Sequence, residues 1–327
     1  MFIAPVSDPS QIGAARRAVV EMSTCSGLDA ADAARAALVA TELASNLLRH
    51  GGGGELLLEP APQVLTIVAI DRGAGMADVQ ACLRDGYSTA GTPGTGLGAI
   101  RRQADDFDIF STPGGGTAIL MRCRARRQPA PGGRFMVGAV NLAKPGEEIS
   151  GDSWDVHLDG ESASVIVADG LGHGPLAAQA SGEAIRLFRK TPSSSPMTIL
   201  EAVHAGLRPT RGAAVAVAHL DLSKHVVVFG GVGNISGTLL AAGTTSRMVS
   251  HNGTAGHVAP RLRELTYPFS GLPTVILCSD GLNTSWSLDR YPGLVARDPT
   301  LIAAVLYRDH SRGRDDATAV VVQVRPQ

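Results

Sequence analysis

The pattern of hydrophobic and polar positions divides the chain into two differently built halves. The first half opens with two helical patterns, and the second of these carries an apolar face of helical period that ends at a run of glycines. The predicted elements are helices near 8–25, 29–50 and 77–83, strands at 56–58 and 64–70, a helix opened by the glycine loop 94–98, and a hairpin over 107–121. The first half is therefore a mixture of helices and antiparallel strands.

The second half consists mainly of short β-branched runs separated by turn signals. Helices are predicted at 175–190, 196–207 and 299–307, and strands at 135–142, 154–158, 162–168, 213–220, 225–229, 237–240, 246–250, 274–278 and 317–324. Many antiparallel strands with few long helices predict a β-sandwich flanked by helices, which places the whole chain in the α+β class.

The two halves meet in a segment whose character changes abruptly. Residues 122–134 pass from strand to basic and then to Pro/Gly-rich sequence. Such sequence is typical of a connection between domains. We therefore predict a first domain over 1–127, a linker over 128–134 and a second domain over 135–327.

Composition and charge exclude several classes of protein. The 327 residues suffice for two cores, and 44% hydrophobic and 18% charged residues are typical of a globular protein. The net charge of -1 favours neither nucleic acid nor an anionic membrane as a partner. The N-terminus lacks the pattern of a signal peptide, no apolar run is long enough to span a membrane, and the four cysteines lack metal-site spacing. We expect a cytoplasmic protein with reduced thiols.

Acidic residues lie at the ends of several predicted strands of the second half. Asp169 follows a buried apolar run, and the other acidic positions are Asp152, Asp280 and the pair Asp315 and Asp316. If folding gathers these carboxylates in a partly dehydrated site, they raise one another's pKa. Hard divalent cations relieve this repulsion. The second half is therefore expected to bind divalent cations.

Polar residues and glycines in the first half suggest a nucleotide site. Glu42 and Asn46 are four residues apart on one helix and form a polar ridge, which by itself is also typical of a solvated helix edge. The glycines at 94–98 open a helix, and the N-terminus of a helix attracts phosphate. No Gly-Lys-Ser/Thr follows them, so this is not a Walker A loop.

Taken together and in this order, residues 5–123 resemble the GHKL ATP-binding family. Within that family they are most similar to the RsbT-type serine kinases of bacterial partner-switching systems. The motifs are Glu42-x-x-x-Asn46, Asp71-x-Gly73-x-Gly75, Asp85 to Thr89 leading into Gly94-Thr95-Gly96-Leu97-Gly98, and Gly115-Gly116-Thr117. The resemblance implies a Bergerat-type α/β sandwich that binds ATP.

The resemblance also implies roles for individual residues. Asn46 would hold Mg²⁺ against the phosphates of ATP, and Glu42 would be the catalytic base that accepts the proton of the substrate hydroxyl. Asp71 would bind the adenine amino group, and Thr117 would support Asp71 or the adenine through water. The full set of implied ATP-binding residues is Asn46, Asp71, Gly73, Gly75, Gly94, Thr95, Gly96, Leu97, Gly98 and Thr117.

Residues 134–327 resemble the metal-dependent phosphatases of the PPM (type 2C) fold, in their SpoIIE/RsbX-like branch. The motifs are Gly151-Asp152, Asp169-Gly170-x-Gly172-His173-Gly174, Gly231-Val232-Gly233-Asn234, Ser279-Asp280-Gly281 and Asp315-Asp316-x-Thr318. They follow one another in the family's order over nearly the whole half. The implied metal ligands for two Mn²⁺ or Mg²⁺ ions are Asp152, Asp169, Asp280, Asp315 or Asp316, and the carbonyl of Gly170.

Several roles in this half stay open at the level of sequence. His173 is either the acid that protonates the leaving serine oxygen or the residue that fixes a glycine turn. Asn234 is either a turn residue or a phosphate contact. Larger members of the fold grip phosphate with an arginine for which Lys144 and Arg134 are the candidates here.

The two resemblances together predict a bifunctional regulator of a partner-switching or stress pathway. Its kinase half would phosphorylate a STAS-domain antagonist or stressosome protein, and its phosphatase half would remove that phosphate. A downstream phosphatase or an anti-sigma factor is a further candidate partner. The alternative is a phosphatase alone, in which the first half is a non-catalytic, ATP-responsive module that binds a partner.

Overall fold

The computed structural model of the chain describes residues 1–83, 96–125, 132–259 and 262–325. The chain folds into two compact units, of which the first comprises Met1–Pro131 with Leu288–Arg308 and the second Gly132–Ser287 with Asp309–Gln327. The segment 288–308 therefore groups with the first unit, although the sequence assigns it to the second domain. Residues 128–131 of the predicted linker lie outside the described residues.

The helices and strands follow one another in a simple order. Those before the linker are β1 (Phe2–Val6), α1 (Ser10–Cys25), α2 (Ala30–Gly51), β2 (Gly54–Ala61), β3 (Val64–Ile70), α3 (Val79–Cys82), α4 (Gly96–Gln103), β4 (Asp106–Ser111) and β5 (Thr117–Arg124). Those after it are β6 (Phe135–Leu142), β7 (Asp152–Asp159), β8 (Ser162–Gly170), α5 (Pro175–Phe188), α6 (Pro196–Gly206), β9 (Ala213–Asp221), β10 (Val226–Val232), β11 (Ser236–Ala241), β12 (Thr244–Met248), β13 (Glu264–Pro268), β14 (Thr274–Cys278), α7 (Pro299–His310) and β15 (Ala317–Val324).

The first unit is built on an antiparallel sheet of strand order β1-β2-β3-β5-β4. Helix α2 begins where the side chain of Asp29 accepts the N–H of Asp32 at 2.8 Å, and it ends at Gly52, whose φ of 69° is left-handed. Apolar residues of α1, α2 and α4 share one buried core with one face of this sheet. The predicted helix-and-sheet layers of the first half are confirmed.

The opposite face of this sheet carries the segment 288–308. Asp108, Phe110 and Arg122 alternate with core residues along β4 and β5 and therefore point away from α1 and α2. Arg122 forms a bidentate ion pair with Asp298, at 2.7 and 2.9 Å. The N–H of Asp298 donates to Asp108 at 2.7 Å, and the rings of Phe110 and Tyr291 lie 6.4 Å apart. Paired polar contacts thus attach this distant segment to the sheet.

The second unit is a sandwich of two antiparallel sheets. Their strand orders are β13-β10-β9-β8-β7 and β12-β11-β14-β15-β6. Val167, Phe229, Leu277 and Val320 belong to an apolar core built from strands of both sheets. Residues of α5 and α6 form a second core with the other face of β8 and β9. This arrangement confirms the predicted β-sandwich with flanking helices.

Two edge strands are absent from the sequence-based prediction. β1 has only five residues, contains Pro5 and pairs on one side with β2. β13 is also short and mostly accessible to solvent, and it pairs on one side with β10. Because edge strands are short and bury little apolar surface, their alternation is weak.

Candidate functional site

Strand ends bring the acidic residues of the second unit together. Asp152 begins β7 and lies directly opposite Asp169 near the end of β8. Asp280 follows β14, whereas Asp315 and Asp316 precede β15, which is the antiparallel neighbour of β14. Every acidic position that the sequence singled out in this half is therefore placed at one group of strand ends.

The carboxylates of this group strongly influence one another. Burial and, to a smaller extent, the charges of the four other acidic residues together raise the pKa of Asp169 to about 9. Burial also raises the pKa of Asp152 to about 7, although a hydrogen bond from Ser279 opposes this. The pKa of Asp280 is raised by burial and by Asp315, and lowered by Arg312. Without a cation, these acids resist full ionisation.

Asp152 is held so that one of its oxygens has no partner. Its Oδ2 accepts a hydrogen bond from the hydroxyl of Ser279 at 2.6 Å, and that hydroxyl accepts the N–H of Thr318 at 3.0 Å. Asn141 donates to the hydroxyl of Thr318 at 2.9 Å. Among the described residues, Oδ1 of Asp152 is buried and meets no hydrogen-bond donor. A buried acceptor in this state is suited to a cation.

Among the described residues, no group of three or more His, Cys, Asp or Glu side chains already has the spacing of a complete metal site. The available donors are nonetheless carboxylate and carbonyl oxygens, which Mg²⁺ and Mn²⁺ prefer. Gly170 ends β8 in close contact with the first turn of α5, where a Cβ would collide with the carbonyl of Ala177. The chemistry of these residues fits divalent cations.

The structure distinguishes Asp315 from Asp316. Asp316 is buried and accepts the backbone N–H groups of Lys144, at 2.8 Å, and of Gly151. Asp315 is exposed and lines a cavity of about 550 Å³ together with Asp169 and Asp280. Asp316 therefore fastens the loop before β7, whereas Asp315 faces the space in which cations and a phosphate would lie.

The same cavity brings basic residues next to the acids. Lys144 and Arg314 both line it, and Arg314 directly precedes Asp315 in the chain. Arg134 lies elsewhere, since its guanidinium pairs with Glu161 at 2.9 Å. Of the two residues considered for gripping phosphate, only Lys144 is at the cavity. Sequence reasoning missed Arg314, although its position beside Asp315 was a usable signal.

His173 and Asn234 also line this cavity. Nδ1 of His173 lies 2.6 Å from Oε1 of Glu147, so the carboxylate fixes the orientation of the ring. Asn234 donates from Nδ2 to Asp280 at 2.7 Å, which makes it a contact of a candidate metal ligand as well as a turn residue. Glu147 is a functional candidate that the sequence did not single out, apart from its place in an acidic loop.

In the first unit, Glu42 and Asn46 lie half-buried on α2. Nδ2 of Asn46 is buried without a hydrogen-bond partner among the described residues. The C-terminal end of α2 contacts the loop after β3, since a Cβ at Gly51 would lie 2.6 Å from Cβ of Asp71. The helix that carries the polar ridge thus meets the loop that carries the predicted adenine contact.

Backbone groups hold the carboxylate of Asp71. Its Oδ1 accepts the N–H of Gly73 at 2.8 Å and that of Thr117 at 3.1 Å. Burial raises the pKa of Asp71, and both hydrogen bonds oppose that rise. Gly75 has a φ of 67°, and a Cβ there would collide with the carbonyl of Thr112, so the turn requires glycine. Among the described residues, no hydrogen-bond donor meets Oδ2, so this oxygen is available to a ligand.

The predicted phosphate-binding loop, 94–98, is described only in part. Gly94 and Thr95 lie outside the described residues, as do Asp85 to Thr89. Gly96 begins α4, whose Leu97 packs against the core of the first unit. Gly98 is buried in the same helix. Thr117 reaches Asp71 through its backbone, whereas its hydroxyl lies 3.0 Å from that of Ser111.

Both halves match known families. Residues 6–123 match the histidine kinase-like ATPase domain, and residues 159–325 match the Stage II sporulation protein E (SpoIIE) family. These ranges agree with the predicted kinase-type first half and phosphatase-type second half. Within the part of the chain that the structure describes, no helix has the length and apolar character needed to cross a membrane.

Two curated relatives come from Bacillus subtilis (strain 168). The serine/threonine-protein kinase RsbT is 35% identical over 97 residues, which cover 28% of this chain and 73% of RsbT. The phosphoserine phosphatase RsbX is 30% identical over 94 residues, which cover 29% of this chain and about half, 47%, of RsbX. A solved structure of RsbX with magnesium has a TM-score of 0.54 at 22% identity and covers 61% of this chain and 99% of that one, so it shows a shared fold.

Proposed function

Because the chain belongs to the SpoIIE family and joins a PP2C-type serine/threonine phosphatase domain to an RsbT-like kinase domain, we propose that it is a bifunctional regulator of a bacterial partner-switching pathway. The first unit transfers phosphate from ATP to a serine or threonine of a STAS-domain protein. The second unit removes that phosphate. The two relatives support this, since their names describe opposed reactions on the same class of residue.

The kinase reaction uses residues on two elements of the first unit. Asp71 binds the adenine through Oδ2, because the backbone already occupies Oδ1. Asn46 would hold Mg²⁺ against the phosphates, and Glu42, one helical turn earlier, takes the proton from the attacking hydroxyl. Phosphoryl transfer depends mostly on such positioning and on neutralising charge.

The phosphatase reaction takes place at the cavity of the second unit. Asp152, Asp169, Asp280 and Asp315, with the carbonyl of Gly170, would hold two divalent ions, Mn²⁺ or Mg²⁺. Ions bound there would supply a nucleophile at neutral pH by lowering the pKa of water. The residues of the chain position the ions and the phosphoserine.

The observation that carries the proposal is the pairing of two sites with different chemistry in one chain. In the first unit, the carboxylate of Asp71 is held by backbone groups beside the helix α2, which carries the candidate base Glu42. The second gathers carboxylates whose mutual repulsion calls for cations. One site suits a nucleotide and the other suits metal ions with a phosphate.

The test is a time course with radiolabelled ATP, the purified protein and a panel of STAS-domain proteins, with and without Mn²⁺. Wild type is compared with Glu42→Ala and Asp169→Ala, and with the control variants Glu21→Ala and Glu201→Ala, which change exposed acids on α1 and α6. Label should accumulate on a STAS protein with Asp169→Ala, fail to appear with Glu42→Ala, and be removed by wild type once Mn²⁺ is added.

Two results would overturn the bifunctional proposal in different ways. If no variant transfers label but wild type removes phosphate from a STAS protein phosphorylated by another kinase, the protein is a phosphatase with a nucleotide-responsive binding module. If label is transferred but Mn²⁺ and Mg²⁺ never promote its removal, the phosphatase assignment fails. Both control variants should behave as wild type.

A further inference from the structure

Arg308 connects the SpoIIE-matching part of the sequence with the first unit. It lies within residues 159–325, which match that family, yet it ends the segment 288–308 that belongs to the first unit. The residue is only 3% exposed. A buried guanidinium is costly unless it is hydrogen-bonded or paired. Its place in the first unit therefore calls for an explanation.

Arg308 contacts the predicted adenine-binding residue directly. Its Nη1 donates a hydrogen bond to the backbone carbonyl of Asp71 at 3.2 Å. The backbone N–H of the same residue, Asp71, donates to the carbonyl of Thr117 at 2.9 Å. The positive charge of Arg308 also favours the ionised carboxylate of Asp71. Arg308 thus acts on both the backbone position and the charge of Asp71.

The rest of the segment is attached to the same sheet. Asp298, at the start of α7, is held by Arg122, and Arg297 lies 3.3 Å from the carboxylate of Asp108. Arg308 lies near the other end of α7. The helix is therefore fastened to the first unit near both ends, and a helix transmits a displacement along its length as a rigid element.

The chain then leads from Arg308 straight to the carboxylates of the second unit. The carbonyl of His310, which ends α7, accepts the N–H of Asn283 at 2.8 Å. The N–H of Arg312 donates to the carbonyl of Gly281 at 2.9 Å, next to Asp280. Asp315 follows within the same stretch. A displacement of α7 would therefore reach two candidate metal ligands along one short piece of backbone.

We propose that Arg308 is a positioning residue for adenine recognition by Asp71, and that an adenine nucleotide bound there changes the turnover of the phosphatase through α7. This proposal rests on the proposed function, because it takes Asp71 as the adenine contact and the second unit as a phosphatase.

The first experiment measures binding of ATP and of GTP to full-length wild type, Arg308→Ala, Arg308→Lys and the matched control Arg297→Ala. Asp71 is expected to distinguish adenine from guanine through the amino group. Arg308→Ala should therefore reduce the preference for ATP over GTP by about fivefold or more, a typical size for such coupling. Arg308→Lys keeps a donor and the charge, so its preference for ATP over GTP should lie between those of Arg308→Ala and wild type.

The control makes the binding result specific. Arg297→Ala also removes a charged contact between the segment and the sheet, but one at Asp108, away from Asp71. If Arg308 had only a structural role, Arg308→Ala would weaken the binding of ATP and of GTP equally. The positioning role is therefore refuted if Arg308→Ala leaves the ATP preference unchanged, or if Arg297→Ala lowers it as much. Should Arg308→Ala not fold, Arg308→Met takes its place, because it keeps most of the side-chain length but removes the donor and the charge; wild-type nucleotide preference and turnover response in that variant would refute the role.

The second experiment measures hydrolysis of p-nitrophenyl phosphate with Mn²⁺ in excess, with and without a non-hydrolysable ATP analogue. The analogue should change wild-type turnover by about fivefold or more, and should have no effect on Arg308→Ala or on Asp71→Asn. Asp71→Asn also controls for chelation of Mn²⁺ by the analogue. An unchanged wild-type turnover refutes the coupling.

The failure of the proposed function would look different. If p-nitrophenyl phosphate is not hydrolysed under any condition, the phosphatase assignment is wrong and the coupling proposal falls with it. The binding experiment still decides whether Arg308 positions Asp71, because it uses no turnover. If ATP and GTP bind equally to wild type, the adenine role of Asp71 is refuted, and the positioning role of Arg308 with it.

Discussion

The two candidate sites hold their acidic residues in opposite ways. Asp71 in the first unit is a single carboxylate whose Oδ1 accepts two backbone N–H groups. Asp169 in the second unit faces other carboxylates, and burial together with their charges raises its pKa to about 9. Neutral backbone donors thus complete the first site, whereas the second is electrostatically incomplete without cations. The first site is built on one acid, whereas the second gathers several acids that repel one another.

The largest effect that would sharpen this comparison is expected from Glu42→Gln. The change keeps the size of the side chain and removes the base, so transfer of phosphate to a STAS protein should fall roughly 10²–10⁴-fold. The affinity for ATP should stay near wild type, since Asp71 and Asn46 are intact. A single-turnover rate of label transfer measures the effect, with Glu21→Gln on α1 as the control. Transfer at the wild-type rate would exclude Glu42 as the base.

A smaller loss is expected from Ser279→Ala in the second unit. Ser279 holds Oδ2 of Asp152 at 2.6 Å, and loss of such a supporting contact typically costs 10–100-fold in metal affinity or activity, so we expect roughly that range. Titration of Mn²⁺ into the metal-free protein measures it. Ser153→Ala is the matched control, because Ser153 neighbours Asp152 but pairs with Ser181. If Ser279→Ala binds Mn²⁺ as tightly as Ser153→Ala and wild type do, Ser279 does not support the metal site.

The sequence predicted the central strands well because burial on both faces leaves a clear pattern. β3, β14 and β15 are continuous runs of apolar, largely β-branched residues, and their bounds agree with the prediction. The segment 288–308 could not be assigned in this way. Its place in the first unit depends on contacts such as that of Arg122 with Asp298, between residues far apart in the chain. Local patterns carry no information about such pairs.

The candidate site was predictable as a set of residues, but not as a set of contacts. The acids at strand ends are visible in the sequence because glycines and apolar runs surround them. The pairing of His173 with Glu147, and the different surroundings of Asp315 and Asp316, appear only when loops are brought together. Asn234 is an example: its sequence context indicates a turn, and only the structure shows that its side chain also donates to Asp280, a candidate metal ligand.

The raised pKa values of Asp152 and Asp169 predict that the metal-free protein loses stability as pH rises. Both carboxyls bind their proton more tightly in the folded than in the unfolded chain, so the free energy of unfolding falls with increasing pH. The window extends from about 4, the ordinary aspartate value, to about 9, the pKa of Asp169. In EDTA, the melting temperature should fall by more than about 2–4 °C between about pH 5 and about pH 8.

The same measurement on Asp169→Asn provides the control for this pH effect. The amide cannot ionise, so the slope of melting temperature against pH should become shallower. Saturating Mn²⁺ should raise the melting temperature most at high pH, because ionised carboxylates bind the cation best. A melting temperature of the metal-free protein that rises across this window would contradict the electrostatic description of the second site.

The smallest change in activity is expected from substitution of His173, which would act on the leaving group of the phosphatase reaction and not on the metal ions. Glu147 accepts the Nδ1–H of the ring, and in the imidazolium form Nε2 carries the proton that the leaving group needs. A serine alkoxide needs that proton far more than p-nitrophenolate does. His173→Asn should therefore slow hydrolysis of a phosphoserine peptide about tenfold more than hydrolysis of p-nitrophenyl phosphate. This factor is smaller than the usual effect of an acid catalyst, because bulk water can also donate a proton at this exposed position. Glu147→Gln should show the same preference in weaker form. If both substrates slow equally, His173 only fixes the turn.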